Sequence, residues 1–497
     1  MQQPEFYPHL VSPPIELVQT HISYVFLTGD YAYKVKKEVN LGFVDFSSLE
    51  KRKEFLLTEI RLNRQVAPDL YLEVLPITLR GDRFILGGTE EPVEYVSKMR
   101  QFPQENLFDN LLAKNRLSME RITELAKVVA DFHQHTTTND YIASFGTVST
   151  IKAAFDENYL QSQKYVGEIQ TQQQLEETRT FTDNFFAQKE DLLRSRVDNH
   201  KIKECHGDLH LRNICLWQDK IQLFDRIEFS ELFRFVDVMY DVAFVVMDFD
   251  ARGHQDFGNI FLNTYVEQTG DWEGLQVLPL YLSRQAYVRA KVTSFLLDDP
   301  SIAEDVKQQS AKTAADYYKL AWQYTQTSQG KLMLMSGLSG SGKTTVAKQL
   351  AKNINAIHIR SDAVRKHLAG ISLDDRGGDS IYTAEMSHKT YARLLELGLL
   401  LASQGFPVIL DAKYDRLKDR REAIAAANKQ GIPLQIVHCT APESVLRDRL
   451  SKRKGDISDA TVDLLSRQQA ETDPFTDAEL AYVREVDTSK KVDFYHD

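Results

Sequence analysis

The run from Gly337 to Thr344, GLSGSGKT, constrains the fold more than any other part of this 497-residue chain. It fits the spacing G-x-x-x-x-G-K-[ST] at every fixed position, follows the apolar segment LMLM and precedes a segment of helical pattern. That order of strand, glycine-rich loop and helix lets backbone N–H groups wrap around phosphate oxygens, because the glycines leave no side chain in the way. The helix N-terminus adds favourable partial charge. Lys343 is then placed to reach the terminal phosphates of ATP and Thr344 to hold Mg²⁺. Gly337, Ser339, Gly340, Ser341, Gly342 and Thr345 complete the expected cradle. Such a site needs a carboxylate at the end of a neighbouring strand to orient the metal or its water. Asp411, which ends the apolar run VIL, meets that need.

The surrounding pattern agrees. After the polar break QTSQG (326–330), strands and helices alternate: LMLMS, a helix over 343–353, AIHI, helices to about 404, PVILD, a helix over 416–430, LQIVHC, and a helix over 442–453. Alternation of this kind implies a parallel sheet covered on both faces. Upstream the organisation differs. ISYVFL (22–27) and YAYKVK (31–36) read as strands around Thr28-Gly29-Asp30, and a helical pattern runs from Ser47 to Arg64. LYLEVLPITL and RFILGG form a second strand pair, and EYVSKM (94–99) is a further strand or a linker. Residues 104–200 and 237–325 are helical in pattern, separated by a short β region with ICLWQDKIQLFD as a hairpin. The expected arrangement is a first domain over 1–327, with a small lobe at about 1–100 and a helical lobe at about 101–327, followed by a second domain over 328–497.

A second signature lies in the first half. In HGDLHLRN, Asn213 follows Asp208 by the five residues that separate acceptor-positioning aspartate from metal-binding asparagine in the kinase catalytic loop. Asp225, at the end of LFD, stands where a second metal-binding aspartate belongs. One base and two metal ligands suffice for a transfer that rests on positioning and charge neutralisation. In the small lobe, Ala32-Tyr33-Lys34 fits an A-x-K strand lysine, with Lys36 on the same face as its rival. Glu59 is the preferred ion-pair partner and Glu54 the other possibility. There is no G-x-G-x-x-G loop, which leaves phosphate covering to the His21–Tyr24 turn or to side chains. Lys98-Met99-Arg100 is a candidate hinge facing adenine.

His-Gly-Asp in place of His-Arg-Asp, with Asp225 and the lobe order, resembles the aminoglycoside phosphotransferase and choline kinase superfamily over about residues 20–325. The second half resembles the small P-loop kinases: gluconate kinase, chloramphenicol phosphotransferase and the 5′-kinase module of polynucleotide kinases. As a whole the chain is similar to bifunctional fusions of these two modules, which implies an α+β bilobal protein-kinase-like domain and an α/β P-loop domain. The resemblance implies that Asp362 takes the acceptor hydroxyl proton and that Arg365 helps to hold substrate or phosphate. A helix-capping Asp362 is the other reading. It also implies an arginine-bearing lid from the cluster Arg447, Arg449 and Arg453, of which Arg449 and Arg453 are the expected nucleotide contacts. An acidic residue among Arg234, Asp237 and Asp241, read as lying on the helix after Asp225, is expected to buttress the catalytic loop. Arg284, Arg289 and Lys291 form a basic helical patch, read as a solvated face or an anion site.

Bulk properties narrow the class. The net charge of −11 and pI of about 5.7 disfavour non-specific binding to nucleic acid or anionic membrane. Cys205, Cys215 and Cys439 are too few for a disulfide framework and lack metal-ligand spacing, which fits a reducing, cytoplasmic setting. Cys205 beside His206 reads as a buried strand cysteine rather than a nucleophile. The N-terminal MQQPEFYPHL lacks a signal-peptide pattern, and no apolar stretch is long enough to span a membrane. The expectation is an ATP- and Mg²⁺-dependent phosphotransferase acting on a small-molecule or oligonucleotide hydroxyl acceptor. A nucleotide-sensing first half, a polynucleotide 5′-kinase and a non-enzymatic ATP switch are the rivals.

Overall fold

The computed structural model describes residues 1–490 except 12, 21, 41–43, 453–456 and 458–461. Two compact units emerge from its packing: residues 1–164 with 182–248, and residues 165–181 with 249–497. The sequence pattern changes period near 328, but the packing divides the chain after Asp248. The helices of 249–327 therefore belong with the P-loop sheet.

The first unit opens with a six-stranded antiparallel sheet. Its strands are β1 (Glu16–Gln19), β2 (Ser23–Leu27), β3 (Tyr31–Lys36), β4 (Tyr71–Arg80), β5 (Arg83–Leu86) and β6 (Pro92–Arg100), in the order β1-β2-β3-β6-β4-β5. The segment EYVSKM is thus a central strand, its Ser97 paired with both Lys34 and Val74. Helix α1 (Leu49–Asn63) packs against β6 and β4. Ser48 starts it by accepting from the Lys51 N–H, and its inward face carries Leu56, Glu59, Ile60 and Asn63. Helix α2 (Met119–His135) is amphipathic, with Ile122, Leu125, Ala126 and Val129 buried. Three short β pieces frame the catalytic-loop motif. β7 (Ile202–Glu204) leads into it, the hairpin β8 (Ile214–Trp217) and β9 (Lys220–Leu223) follows, and β10 (Phe235–Asp237) pairs with β7. Helix α3 (Val238–Ala251) is apolar on almost every side and buried along nearly its whole length.

In the second unit come α4 (Gln255–Thr269), α5 (Leu278–Ser294) and α6 (Glu304–Gln323), with α5 and α6 packed together. The sheet comprises β11 (Lys331–Ser336), β12 (Ile357–Arg360), β13 (Pro407–Asp411), β14 (Leu434–Thr440) and β15 (Val483–Asp487). All are parallel, in the order β12-β13-β11-β14-β15. Its connections carry α7 (Lys343–Ile354), α8 (Ser361–Ala369), α9 (Ala384–Ala402), α10 (Leu417–Lys429), α11 (Glu443–Lys452) and α12 (Leu464–Glu471). The central strand β11 buries every residue but its first, as a parallel strand covered on both faces must. Strand β15, at the far edge, has no counterpart in the sequence reading. Among the described residues no helix is long and apolar enough to cross a membrane.

Candidate active sites

In the first unit, strand β3 and helix α1 bring Lys34 and Glu59 together. Lys34 Nζ lies 2.8 Å from Glu59 Oε1 and 2.7 Å from Asp225 Oδ1. Burial would strip the proton from Lys34, but Asp225 and Glu59 outweigh it and hold the ammonium well above its ordinary range. Burial would also neutralise Asp225, and Lys34 beside it keeps its carboxyl below the usual value. Lys36 is not a mere rival. It lies 3.0 Å from Glu59 Oε2 and also pairs with Glu228, so two lysines and three carboxylates form one network. Glu54 is exposed and takes no part.

Asp225 sits at the end of the β8–β9 hairpin with a φ of +63°, and its N–H donates to the Tyr71 hydroxyl at 3.0 Å. The left-handed turn is one aspartate tolerates better than most side chains. The next residue, Arg226, is fully buried and ties the turn to α1. It donates to Leu62 O at 2.9 Å and Gln65 Oε1 at 2.8 Å, while its own N–H donates to Asn63 Oδ1 at 2.9 Å.

The loop bearing Asp208 is fixed by acids from α3. Asp241 accepts from the His206 N–H at 2.7 Å and the Gly207 N–H at 2.9 Å, and Asp248 accepts from the Leu211 N–H at 2.9 Å. Gly207, at φ +86°, has no room for a Cβ, which would lie 2.5 Å from Phe233 O. Burial pushes the His206 imidazole down to about 4. It is therefore neutral near pH 7, with Nε2 donating to Phe224 O at 2.9 Å and Nδ1 accepting from the Asp208 N–H at 3.3 Å. Asn213 Nδ2 donates to Asp208 O at 2.9 Å and Oδ2 at 3.1 Å. The half-exposed Asp208 carboxylate and the Asn213 amide are thereby presented together.

Of the three residues expected to buttress the loop, Asp241 is the one that does. Arg234 ends a short helix (Glu231–Arg234) and bonds Glu204, while Asp237 lies in β10 and binds Arg196; neither is on α3. His133, Cys205 and Asp241 stand close enough to ligate a metal. Asp241 accepts from two loop amides and pairs with His133, while burial keeps the Cys205 thiol protonated, donating to Val236 O. Arg284 is buried within α5, while Arg289 and Lys291 are half-exposed and lie over the rings of Tyr317 and Phe295, so the three do not share one solvated face. All three cysteines are buried.

In the second unit the loop 337–342 joins β11 to α7. Gly337, at φ +133°, passes so close to β14 that a Cβ would lie 2.3 Å from Cys439 O; Gly340 and Gly342 also take positive φ. Lys343 Nζ folds onto the loop, donating to Gly337 O and Leu338 O at 2.8 Å each. The Ser341 hydroxyl is buried with no partner, an orphan inside the cradle. Thr344 and Thr345 open α7. Parallel register sets Asp411 beside both Met335 and Arg360, so the ends of β11, β12 and β13 meet. Burial alone would raise the Asp411 carboxyl, but the hydrogen bond from His358 Nε2 at 3.0 Å, with Arg360 and Lys343 nearby, holds it at about 2. An ionised, buried carboxylate and a helix-start threonine hydroxyl are hard oxygen donors that suit Mg²⁺. His358 carries no motif and was not anticipated.

Asp362 lies in the first turn of α8, but the cap position is Arg360, so Asp362 is not the N-cap. Arg365 is buried, donating to Ile381 O at 3.1 Å and Ser387 Oγ at 3.3 Å, with its guanidinium over Tyr382 and Nε unpartnered. Arg449 is drawn onto the phosphate loop. It donates to Gly340 O at 3.3 Å and to Thr488 Oγ1 and O at 2.9 and 2.7 Å. Among the described residues Arg447 pairs with Glu443 one turn away, and Arg453 lies outside them. Gln468 on α12 accepts from the Ser339 N–H at 3.1 Å.

The family model described as an AAA domain matches residues 332–475. An uncharacterized protein of Mycobacterium tuberculosis is 28% identical over 468 residues, 93% of this chain and 91% of the relative. Among solved structures, aminoglycoside 2′-phosphotransferase-IIIa in its GDP complex aligns over 63% of this chain and 95% of its own, at 13% identity and a TM-score of 0.37. A gluconokinase from Sinorhizobium meliloti aligns over 33% of this chain and 86% of its own, at 22% identity and a TM-score of 0.24. The chain thus carries an α+β unit built on an antiparallel sheet and an α/β unit whose parallel sheet spans the residues matched by the AAA-domain model.

Proposed function

We propose that the protein is an ATP- and Mg²⁺-dependent phosphotransferase with a nucleotide site in each unit, passing the γ-phosphate to hydroxyl acceptors. The observation that carries this reading is Lys34, which pairs with Glu59 and with Asp225, 191 residues further along the chain, while Asn213 steadies Asp208 in the same unit. Lys36 is buried between two carboxylates, but Lys34 sits against the half-exposed Asp225, where a phosphate or metal can reach it, as a phosphate-binding lysine must.

In the first unit, Lys34 binds phosphate oxygens, and Asn213 and Asp225 would hold the metal. The Asp208 carboxylate accepts the acceptor's hydroxyl proton as its oxygen attacks phosphorus and the bond to the leaving ADP breaks. In the second unit, Lys343 exchanges the Gly337 and Leu338 carbonyls for phosphate oxygens, Asp362 is the base, and Thr344 and Asp411 would hold the metal. Bound Mg²⁺ neutralises phosphate charge in both. Arg365 anchors the acceptor through the wall it builds with Ile381, Tyr382 and Ser387.

The test is label transfer from γ-labelled ATP into a small-molecule extract of cells, in wild type, Asp208→Ala and Lys343→Ala. Loss of a different labelled product in each variant is the expected result. If only Lys343→Ala matters, the first unit senses nucleotide rather than transferring phosphate. If no label moves to any acceptor or to water, the transferase reading fails.

A further inference from the structure

Strand β12 is an edge strand, so one side of its backbone has no neighbouring strand among the described residues. Exposed N–H and C=O groups at such an edge must find other partners. Helix α4 supplies them from side chains. Asn263 Oδ1 accepts from the His358 N–H at 2.7 Å, and Asn263 Nδ2 and Asn259 Nδ2 each donate to Ala356 O at 3.0 Å. Asn259 also donates to Asn355 Oδ1 at 3.0 Å, and Asn263 to Asn259 Oδ1 at 3.0 Å. Two asparagines one turn apart therefore act as a short artificial strand, closing the ladder on both sides of Ile357.

The residue they fix is the one that matters to the phosphate site. His358 has its N–H on Asn263 and its ring on Asp411, so a shift of β12 along its axis would withdraw the imidazole from the carboxylate. The C-terminal end of α4 grips the next element too. His367 of α8 binds Glu267 O at 2.8 Å, its ring meets Trp272 edge-on at 5.5 Å, and Gly270 is so close that a Cβ would lie 3.0 Å from His367 Nδ1. Helix α8 carries Asp362 and Arg365. One helix outside the strand-helix alternation thus holds both the strand behind the metal carboxylate and the helix bearing the proposed base.

We propose that Asn263, with Asn259, and His358 are positioning residues of the P-loop site, and that α4 aligns Asp411 for the metal through the edge of β12. The proposal rests on the reading of this unit as a Mg²⁺·ATP site. Partners that orient a ligating carboxylate are worth tenfold or more in metal affinity.

The experiment uses the full chain and measures binding of a fluorescent ATP analogue as Mn²⁺ is titrated, with Lys343→Ala defining the part of the signal that belongs to this site. Asn263→Leu and His358→Phe are each expected to raise the Mn²⁺ concentration for half-maximal binding about tenfold. Metal-free affinity for the analogue should stay within about twofold, since the phosphate loop is untouched. The double variant should be no worse than the single ones, because both act through one imidazole. His358→Gln, which keeps a donor for Asp411, should restore most of the loss. If Asn263→Leu does not fold, Asn263→Ser stands in with the same expected shift. Wild-type Mn²⁺ dependence in both single variants overturns the proposal. A shift in His358→Phe but not at Asn263 overturns the role of α4. If Lys343→Ala leaves the signal intact, the reading of the P-loop unit itself falls instead.

Discussion

At the scale of single residues, the two lysines of β3 divide a labour that spacing alone left open. Lys36 is completely buried between Glu59 and Glu228, whereas Lys34 lies between Glu59 and the half-exposed Asp225. Removing one member of a buried ionic cluster leaves uncompensated charge, at a cost of about 3–5 kcal/mol. Lys36→Met is therefore expected to lower urea stability by about that amount. Lys34→Met should cost markedly less stability, because Glu59 keeps Lys36, but it should abolish nucleotide binding in the first unit. Urea melts and nucleotide titrations of the two variants separate the roles; equal destabilisation by both would contradict this assignment. The candidate site residues could be named from the sequence because the chemistry proposed for them imposes spacing: Asp208 with Asn213, and Gly337 through Thr344. Arg226, His358 and Thr488 were not, since each works through a contact made only in the folded chain. Arg226 bonds Leu62, far away in sequence, and Thr488 reaches Arg449 through the pairing of β15 with β14.

At the scale of elements, hydrophobic period located nearly every strand and helix of the P-loop sheet and the small lobe, because both bury one repeating face. It failed where an element is short or polar. β1 reads exposed at three of its four positions, and β15 buries only Val486. It also placed Asp237 on a helix, where β7 claims the chain as a strand. One helix pair yields a pH dependence. Asp250 of α3 accepts from the hydroxyl of Tyr324, the cap of α6, at 2.6 Å, and burial pushes its carboxyl up to about 6 despite that bond. The folded state then binds a proton more tightly than the unfolded state. Its contribution is full below about pH 4 and is lost as pH rises through about 6. Asp250→Asn, which keeps the acceptor and never ionises, should be more stable than wild type at pH 7.5, by up to about 3 kcal/mol for a shift of about two units. The advantage should vanish near pH 4. Thermal melts across that range check it; an advantage independent of pH would exclude the titration.

At the scale of the whole molecule, the chain is not cut where its pattern changes. Residues 165–181 and 249–327 pack with the sheet that begins at Lys331, and α4 meets β12 and α7 directly. Sequence period reports each element's own environment, and helices have the same period whichever unit they join. The division after Asp248 was therefore not legible in it. A fragment beginning at Phe249 should be the better-behaved piece and one beginning at Lys331 the poorer, as thermal melting and size-exclusion chromatography of the two would show.

The asparagine pair on α4 also bears on how such a sheet stays solitary. An uncovered β12 would offer bare N–H and C=O groups beside a buried apolar strand, a template for another chain's strand to add to. Amide side chains occupy those groups with hydrogen bonds of the same kind but cannot extend into a further strand. Asn259 and Asn263 thus end the ladder as a period ends a line. A chain that loses them gains an adhesive edge, and the cost is paid in solubility before it is seen in chemistry.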